Sequence, residues 1–219
     1  MTGGGPTIKK YFEDTDLFEW TGIVNQCTPD EEDERFCNLV LETTIMHPQG
    51  GGQPADSGMI TGDEAKFEVT FTGIDKETNI ITHKGKFLEG TCFPAGRRVT
   101  ISVDADKRKQ NARMHSGGHM LDTAVRNAGY TSLVPTKGNH SADNLFVEYK
   151  GKVDPADKEN FMALINAEAK KLLSEDIGTT VRYANTVGLA VDVHTPGKCC
   201  CMFVSVGAWT ERWYMRGCC

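Results

Sequence analysis

The chain has 219 residues, enough to bury one large core or two modest ones. Its hydrophobic fraction of 39% is that of an ordinary soluble globular protein, and no apolar run approaches the length that spans a bilayer. A net charge of -6, from 24 basic and 30 acidic side chains, argues against indiscriminate nucleic-acid binding and leaves room only for a local, specific RNA contact.

The N-terminus, Met1-Thr-Gly-Gly-Gly-Pro-Thr7, lacks the charged and apolar regions of a signal peptide, so a cytoplasmic protein with no membrane partner is expected. From about 17 to 103 the chain reads as short strands. Phe36–Ile45, Lys66–Phe71, Asn79–His83 and Arg98–Val103 are β-branched or aromatic and are separated by Gly, Asp or Asn turns. Such spacing predicts a small antiparallel barrel or sandwich over residues 1–103. Within it lies His47-Pro-Gln-Gly50-Gly51-Gly52-Gln53-Pro54-Ala-Asp56-Ser-Gly58. Three glycines flanked by prolines exclude a helix interior or packed strand and make a loop whose bare backbone a ligand can approach. The Gln53 amide is a donor and acceptor presented by that loop. No Lys-Ser or Lys-Thr follows, so this is not a phosphate-cradling P-loop.

The pattern changes at Asp104. Asp104 or Asp106 can cap a helix running to about Asn127 and ending at Gly129. Asp154-Pro155 opens a second helix, in which Phe161, Leu164, Ile165, Leu172 and Leu173 recur near helical spacing. Strands are expected around Leu145–Tyr149, Val181–Tyr183 and Leu189–Val193. The fold class is therefore α+β, an N-terminal barrel or sandwich followed by an α+β domain over 104–219.

The first of these helices carries the most informative pair in the chain. His115 and His119 are four residues apart, which puts both imidazoles on one face where they can grip one metal ion. Zinc is the default guest, and no glutamate follows His115, so the HExxH protease arrangement is absent. Five of the eight cysteines crowd into positions 199–201 and 218–219, which reads as metal-binding or incidental, not as a disulfide framework. Lys107, Arg108, Lys109 and Arg113 gather four cations at the start of the helix, suited to an RNA contact or to a solvated face. Arg113 can alternatively pair with a buried carboxylate.

Together and in this order, the loop His47–Gly58 and the helix segment Asn111-Ala-Arg-Met-His-Ser-Gly-Gly-His-Met-Leu-Asp122 resemble the alanyl-tRNA synthetase editing domain, specifically its free-standing AlaX-type trans-editing proteins. Lys137-Gly138, Asn139-His140 and Phe146-Val-Glu-Tyr149 extend the likeness, which covers roughly residues 17–200. The resemblance implies a zinc-binding editing domain that hydrolyses the ester joining serine, or glycine, to alanine tRNA. It implies a substrate role for Gln53 and contacts from Gly50, Gly51 and Gly52, and it loosely matches Thr21 to a threonine that senses the serine hydroxyl. The need for such chemistry is physical, because a pocket sized for alanine cannot strongly reject a side chain that merely adds a hydroxyl.

One stretch departs from the family, whose second zinc motif is spaced CxxxH. Here Cys199-Cys200-Cys201-Met202-Phe203 puts phenylalanine where the final histidine belongs. The implied ligands are then His115, His119 and Cys199, with water, the Cys201 thiolate or nothing in the fourth place. Two other readings stay open: a catalytically impaired relative that still binds tRNA, and a peptidyl-tRNA hydrolase of the release-factor kind, suggested by Gly-Gly-Gln. The histidine pair argues against the latter, whose chemistry needs no metal.

Overall fold

Alternating apolar residues close the first half of the chain into a barrel. The computed structural model describes residues 5–175, 179–184, 190–191 and 201–206, the last three segments by backbone alone. It divides into two compact units, Met1–Asn111 and Ala112–Cys219. Among the described residues no helix is long and apolar enough to cross a membrane.

In the first unit, β1 (Ile8–Lys9) leads through a 3-10 turn to β2 (Glu19–Pro29), β3 (Cys37–Leu41), β4 (Thr43–Thr44), β5 (Gly58–Thr61), β6 (Lys66–Ile74), β7 (Ile81–Glu89) and β8 (Arg98–Val103). Six of these form a closed antiparallel barrel in the order β2-β3-β7-β6-β5-β8, while β1 pairs with β4 in parallel. Of the two architectures open to the sequence, barrel and sandwich, this is the barrel. Closure leaves no exposed sheet edge. Period-two alternation fills the interior: Val99, Ile101 and Val103 from β8 meet Leu39, Leu41, Ile60, Phe67 and Val69.

Three local events depart from that alternation. A register shift between Val69 and Phe71 turns the β6 face over, so Phe71 is 42% exposed while Thr72 is buried. The strand expected over 36–45 divides at Glu42, whose N–H bonds to the Ile23 carbonyl while Thr43 and Thr44 pair with β1. The strand expected from Asn79 starts only at Ile81, because Asp75 accepts from the Glu77 and Thr78 amides and Asn79 sits at φ 59, closing a turn first. Inside the barrel, His83 is fully buried. Its ring nitrogens meet the Thr44 hydroxyl at 2.8 Å and the Leu39 carbonyl at 3.0 Å.

Helix α1 (Ala105–Asn127) begins in the first unit and continues, from Ala112, in the second. Asp104 is the cap, its carboxylate accepting from the Lys107 amide at 3.0 Å. Gly129, at φ 92, ends the helix in a conformation that suits glycine. In the second unit, β9 (Val134–Asn139) and β10 (Phe146–Lys150) form an antiparallel hairpin, and a 3-10 turn capped by Asp154 leads into α2 (Lys158–Ser174). Phe161, Ile165, Ala169 and Leu172 make the apolar stripe of α2 and pack with Ala124, Val125, Tyr130 and Tyr149. Leu164 and Leu173, expected on that face, lie off the stripe at 40% and 72% exposed. A third sheet has the order β12-β11-β13, formed by β11 (Thr179–Ala184), β12 (Ala190–Val191) and β13 (Cys201–Val206). The architecture is α+β.

Candidate functional site

In the first unit the three glycines build a tight turn. Gly50 and Gln53 exchange backbone hydrogen bonds of 3.2 and 2.9 Å across Gly51 and Gly52, at φ 57 and 81. Two consecutive left-handed residues define a type I′ turn, a conformation that side chains with a Cβ resist. The Gly51-Gly52 tip is exposed, and Gln53 beside it is 7% exposed. The turn thus presents bare backbone outward and fixes the Gln53 position by both its main-chain groups.

The base of this loop is held by an ion pair. The Asp56 carboxylate accepts from the His47 amide at 2.6 Å, and the Asp56 amide bonds back to the His47 carbonyl at 2.9 Å. Arg108 reaches the same carboxylate through Nε, at 2.8 and 3.0 Å, and through Nη2, which also bonds the Ile45 carbonyl at 2.5 Å. Nη1 takes the Thr15 carbonyl at 2.9 Å. Arg108 is 4% exposed and its donors are committed within the fold. This corrects its assignment to an RNA-contacting group: Arg108 is the cation that meets a buried carboxylate, the role left open for Arg113.

Its neighbours remain at the surface. Lys107 and Lys109 are exposed, the first bonding the Ser57 hydroxyl at 3.2 Å and the second lying 5.1 Å over the Phe18 ring. Arg113, in the second unit, is exposed as well. The alternation of Arg108 with Lys107 and Lys109 follows helix geometry, because successive residues point about 100° apart. Thr21 is exposed on β2, opposite Thr100 of β8.

The second unit gathers three imidazoles, one more than the helix pattern anticipates. His115 and His119 have ring centroids 5.0 Å apart, as one helical turn requires. His140, just past β9, stacks on His115 at 4.6 Å with 13° between planes and lies 6.0 Å from His119. It is 4% exposed. Its place depends on missing side chains: a Cβ on Gly118 would stand 2.2 Å from His140 Cε1, and one on Gly138 would stand 2.8 Å from Nε2. Glycine inside a helix costs roughly 1 kcal/mol relative to alanine, so the Gly118 position is a concession made to this ring.

Electrostatics favour the neutral form of two of these rings, His119 and His140. Burial lowers the His119 pKa, with Asp122 opposing, and burial followed by repulsion from His119 lowers that of His140. Asp122 faces His119 Nδ1 at 3.9 Å and accepts a 2.5 Å bond from Tyr149, whose phenol is pushed well above its ordinary range by burial and then by that bond. His119 thus turns Nδ1 toward a carboxylate and leaves Nε2 buried without a hydrogen-bond partner, as is His140 Nδ1. A neutral imidazole with a buried, unsatisfied nitrogen is the state in which histidine takes a metal. Among the described residues no group of three or more His, Cys, Asp or Glu has the geometry to hold a metal ion as it stands. Of the expected thiolate ligands, Cys199 lies outside the described residues, and Cys201 is described only as the first residue of β13, opposite Ala184.

His140 carried one sequence signal, its place directly after Lys137-Gly138-Asn139. Nothing in residue spacing joined it to His115, because the hairpin that returns it to α1 is a tertiary arrangement.

The chain is similar in sequence to known proteins. Residues 15–107 match the family model of tRNA synthetases class II (A). The chain is 33% identical over 120 residues to the alanyl-tRNA editing protein AlaX-M of Methanosarcina acetivorans, covering 52% of this chain and 46% of that protein. It is 34% identical over 116 residues to AlaX-L of Pyrococcus horikoshii, covering 53% and 28%. An alanine–tRNA ligase of Desulfosudis oleivorans is 36% identical over 87 residues, 40% of this chain and 10% of the ligase. The chain thus spans about half the length of AlaX-M and less of the other two.

Proposed function

We propose that this chain, which through its residues 15–107 belongs to the alanyl-tRNA synthetase family with AlaX-type relatives, hydrolyses mischarged alanine tRNA in trans. The observation that carries the reading is the presence in one AlaX-like chain of a tight Gly-Gly-Gln turn and of three clustered imidazoles, His115, His119 and His140, the last two with lowered pKa values. The substrate is serine esterified to alanine tRNA, with the glycine ester as a second one.

Each group has a part in that reaction. The Gly50–Gly52 turn offers exposed backbone against which the terminal adenosine can lie, and Gln53 supplies an amide at the scissile end. Lys107, Lys109 and Arg113 offset the phosphate charge of the acceptor stem. His115 and His119 are the zinc ligands, joined by Cys199 and with Cys201 available as a further thiolate. The donor set fits zinc, since His119 Nε2 is buried and unsatisfied and its ring is held neutral. Zinc, when bound, supplies Lewis-acid polarisation of the ester carbonyl or of a water. Asp122 lies 3.9 Å from His119 Nδ1, a carboxylate beside a ligand histidine of the kind that raises its basicity.

A deacylation assay decides the matter. Serine-charged alanine tRNA should be hydrolysed, alanine-charged tRNA spared, and a chelator should stop the reaction. Equal turnover of both substrates removes the editing role. Binding without turnover leaves the impaired tRNA-binding relative.

A further inference from the structure

We propose that His140 is the third imidazole of the metal site, joining His115 and His119. The proposal rests on the zinc reading above and uses groups of the second unit only. It goes beyond the helix pair to a residue on a different element, brought alongside by the β9–β10 hairpin.

The distances suit a shared ion. Two imidazoles bound to zinc at about 2.0–2.1 Å with tetrahedral angles have ring centroids about 5 Å apart. The three separations here are 4.6, 5.0 and 6.0 Å. The placement is also constrained. Asn139, directly before it, accepts from the Ser141 amide at 3.0 Å and pairs in register with Phe146, which anchors the backbone on both sides. Gly118 and Gly138 leave open the space that the ring occupies.

The unsatisfied polar atoms point the same way. His140 Nδ1 is buried and has no hydrogen-bond partner, an arrangement that costs free energy until a donor or a metal satisfies it. Its stacking on His115, with 13° between planes, means that coordination turns a ring about the Cβ–Cγ bond. That torsion is broad for histidine, so the backbone need not move.

The test uses the full chain loaded with one equivalent of zinc. X-ray absorption on the wild-type protein should count three imidazole ligands. In parallel, His140→Gln should lower zinc affinity by roughly ten- to a hundredfold in competition with a chromophoric chelator. The visible bands of the cobalt-substituted protein should shift with the same change, while circular dichroism stays unaltered. Zinc bound through two imidazoles, with affinity indifferent to His140→Gln, overturns the proposal and leaves the zinc reading intact. A wild-type chain that binds no zinc removes both. If His140→Gln does not fold, the ligand count on the wild-type protein decides alone.

Discussion

Arg108 and Asp56 form a fully buried ion pair, with side chains 4% and 0% exposed. The pair joins the start of α1 to the base of the glycine turn, because the same carboxylate holds the His47 amide. A buried pair loses most when one partner alone is removed, since the other charge is left unsatisfied. Arg108→Ala or Asp56→Ala should therefore destabilise the protein by about 3–5 kcal/mol in urea unfolding. Arg108→Lys should recover little, because an ammonium cannot reproduce the fork that also reaches the Ile45 and Thr15 carbonyls. A destabilisation under about 1 kcal/mol would mean the pair is replaceable.

The surface cations should behave differently. Replacing Lys107 and Lys109 with glutamine should leave stability nearly unchanged, since both are exposed. It should reduce the slope of log affinity for tRNA against log salt by roughly one for each phosphate no longer neutralised. An unaltered slope reassigns both lysines to an ordinary solvated helix face.

Gln53 is held by the turn and stands in the first unit, whereas the imidazoles stand in the second. Gln53→Ala should slow deacylation of serine-charged alanine tRNA by roughly a hundredfold, as loss of an oriented polar group does, without changing zinc content. A fall in zinc content would show that Gln53 supports the metal.

Asp122 should tune the metal through His119. Asp122→Asn keeps the shape but removes the charge facing Nδ1, and should weaken zinc binding by roughly tenfold or more. Tyr149→Phe should have a smaller effect in the same direction, since it frees only the donor that orients Asp122. Chelator competition measures both, and identical affinities across the three proteins would remove Asp122 from the site.

His83 sets an acid limit. Burial lowers its pKa from 6.5 to about 4, so the folded state holds the neutral ring where the unfolded chain binds a proton. The stabilisation is complete above pH 6.5 and is lost as the pH falls through the interval down to about 4. Across that window His83 alone should remove up to about 1.4 kcal/mol per pH unit. NMR titration should find its ring neutral at pH 5; a midpoint near 6.5 would contradict the burial argument.

Features that depend on neighbours along the chain are legible in the residues alone. Two histidines four apart share a helix face whatever surrounds them, Asp104 caps the turn it precedes, and consecutive glycines admit a type I′ turn. The alternation of Val99, Ile101 and Val103 marks a strand with one buried side for the same reason. Other features emerge only on folding, because their determinants lie far apart in the chain. The change of face at Phe71 comes from a register shift against β7, and barrel closure comes from pairing β2 with β8. Arg108 reads like Lys107 and Lys109 until Asp56, 52 residues away, claims its guanidinium. His140 joins the helix histidines only because a hairpin returns it to a helix that omits a side chain at Gly118. Periodicity reports which face a residue occupies; only packing decides what meets it there.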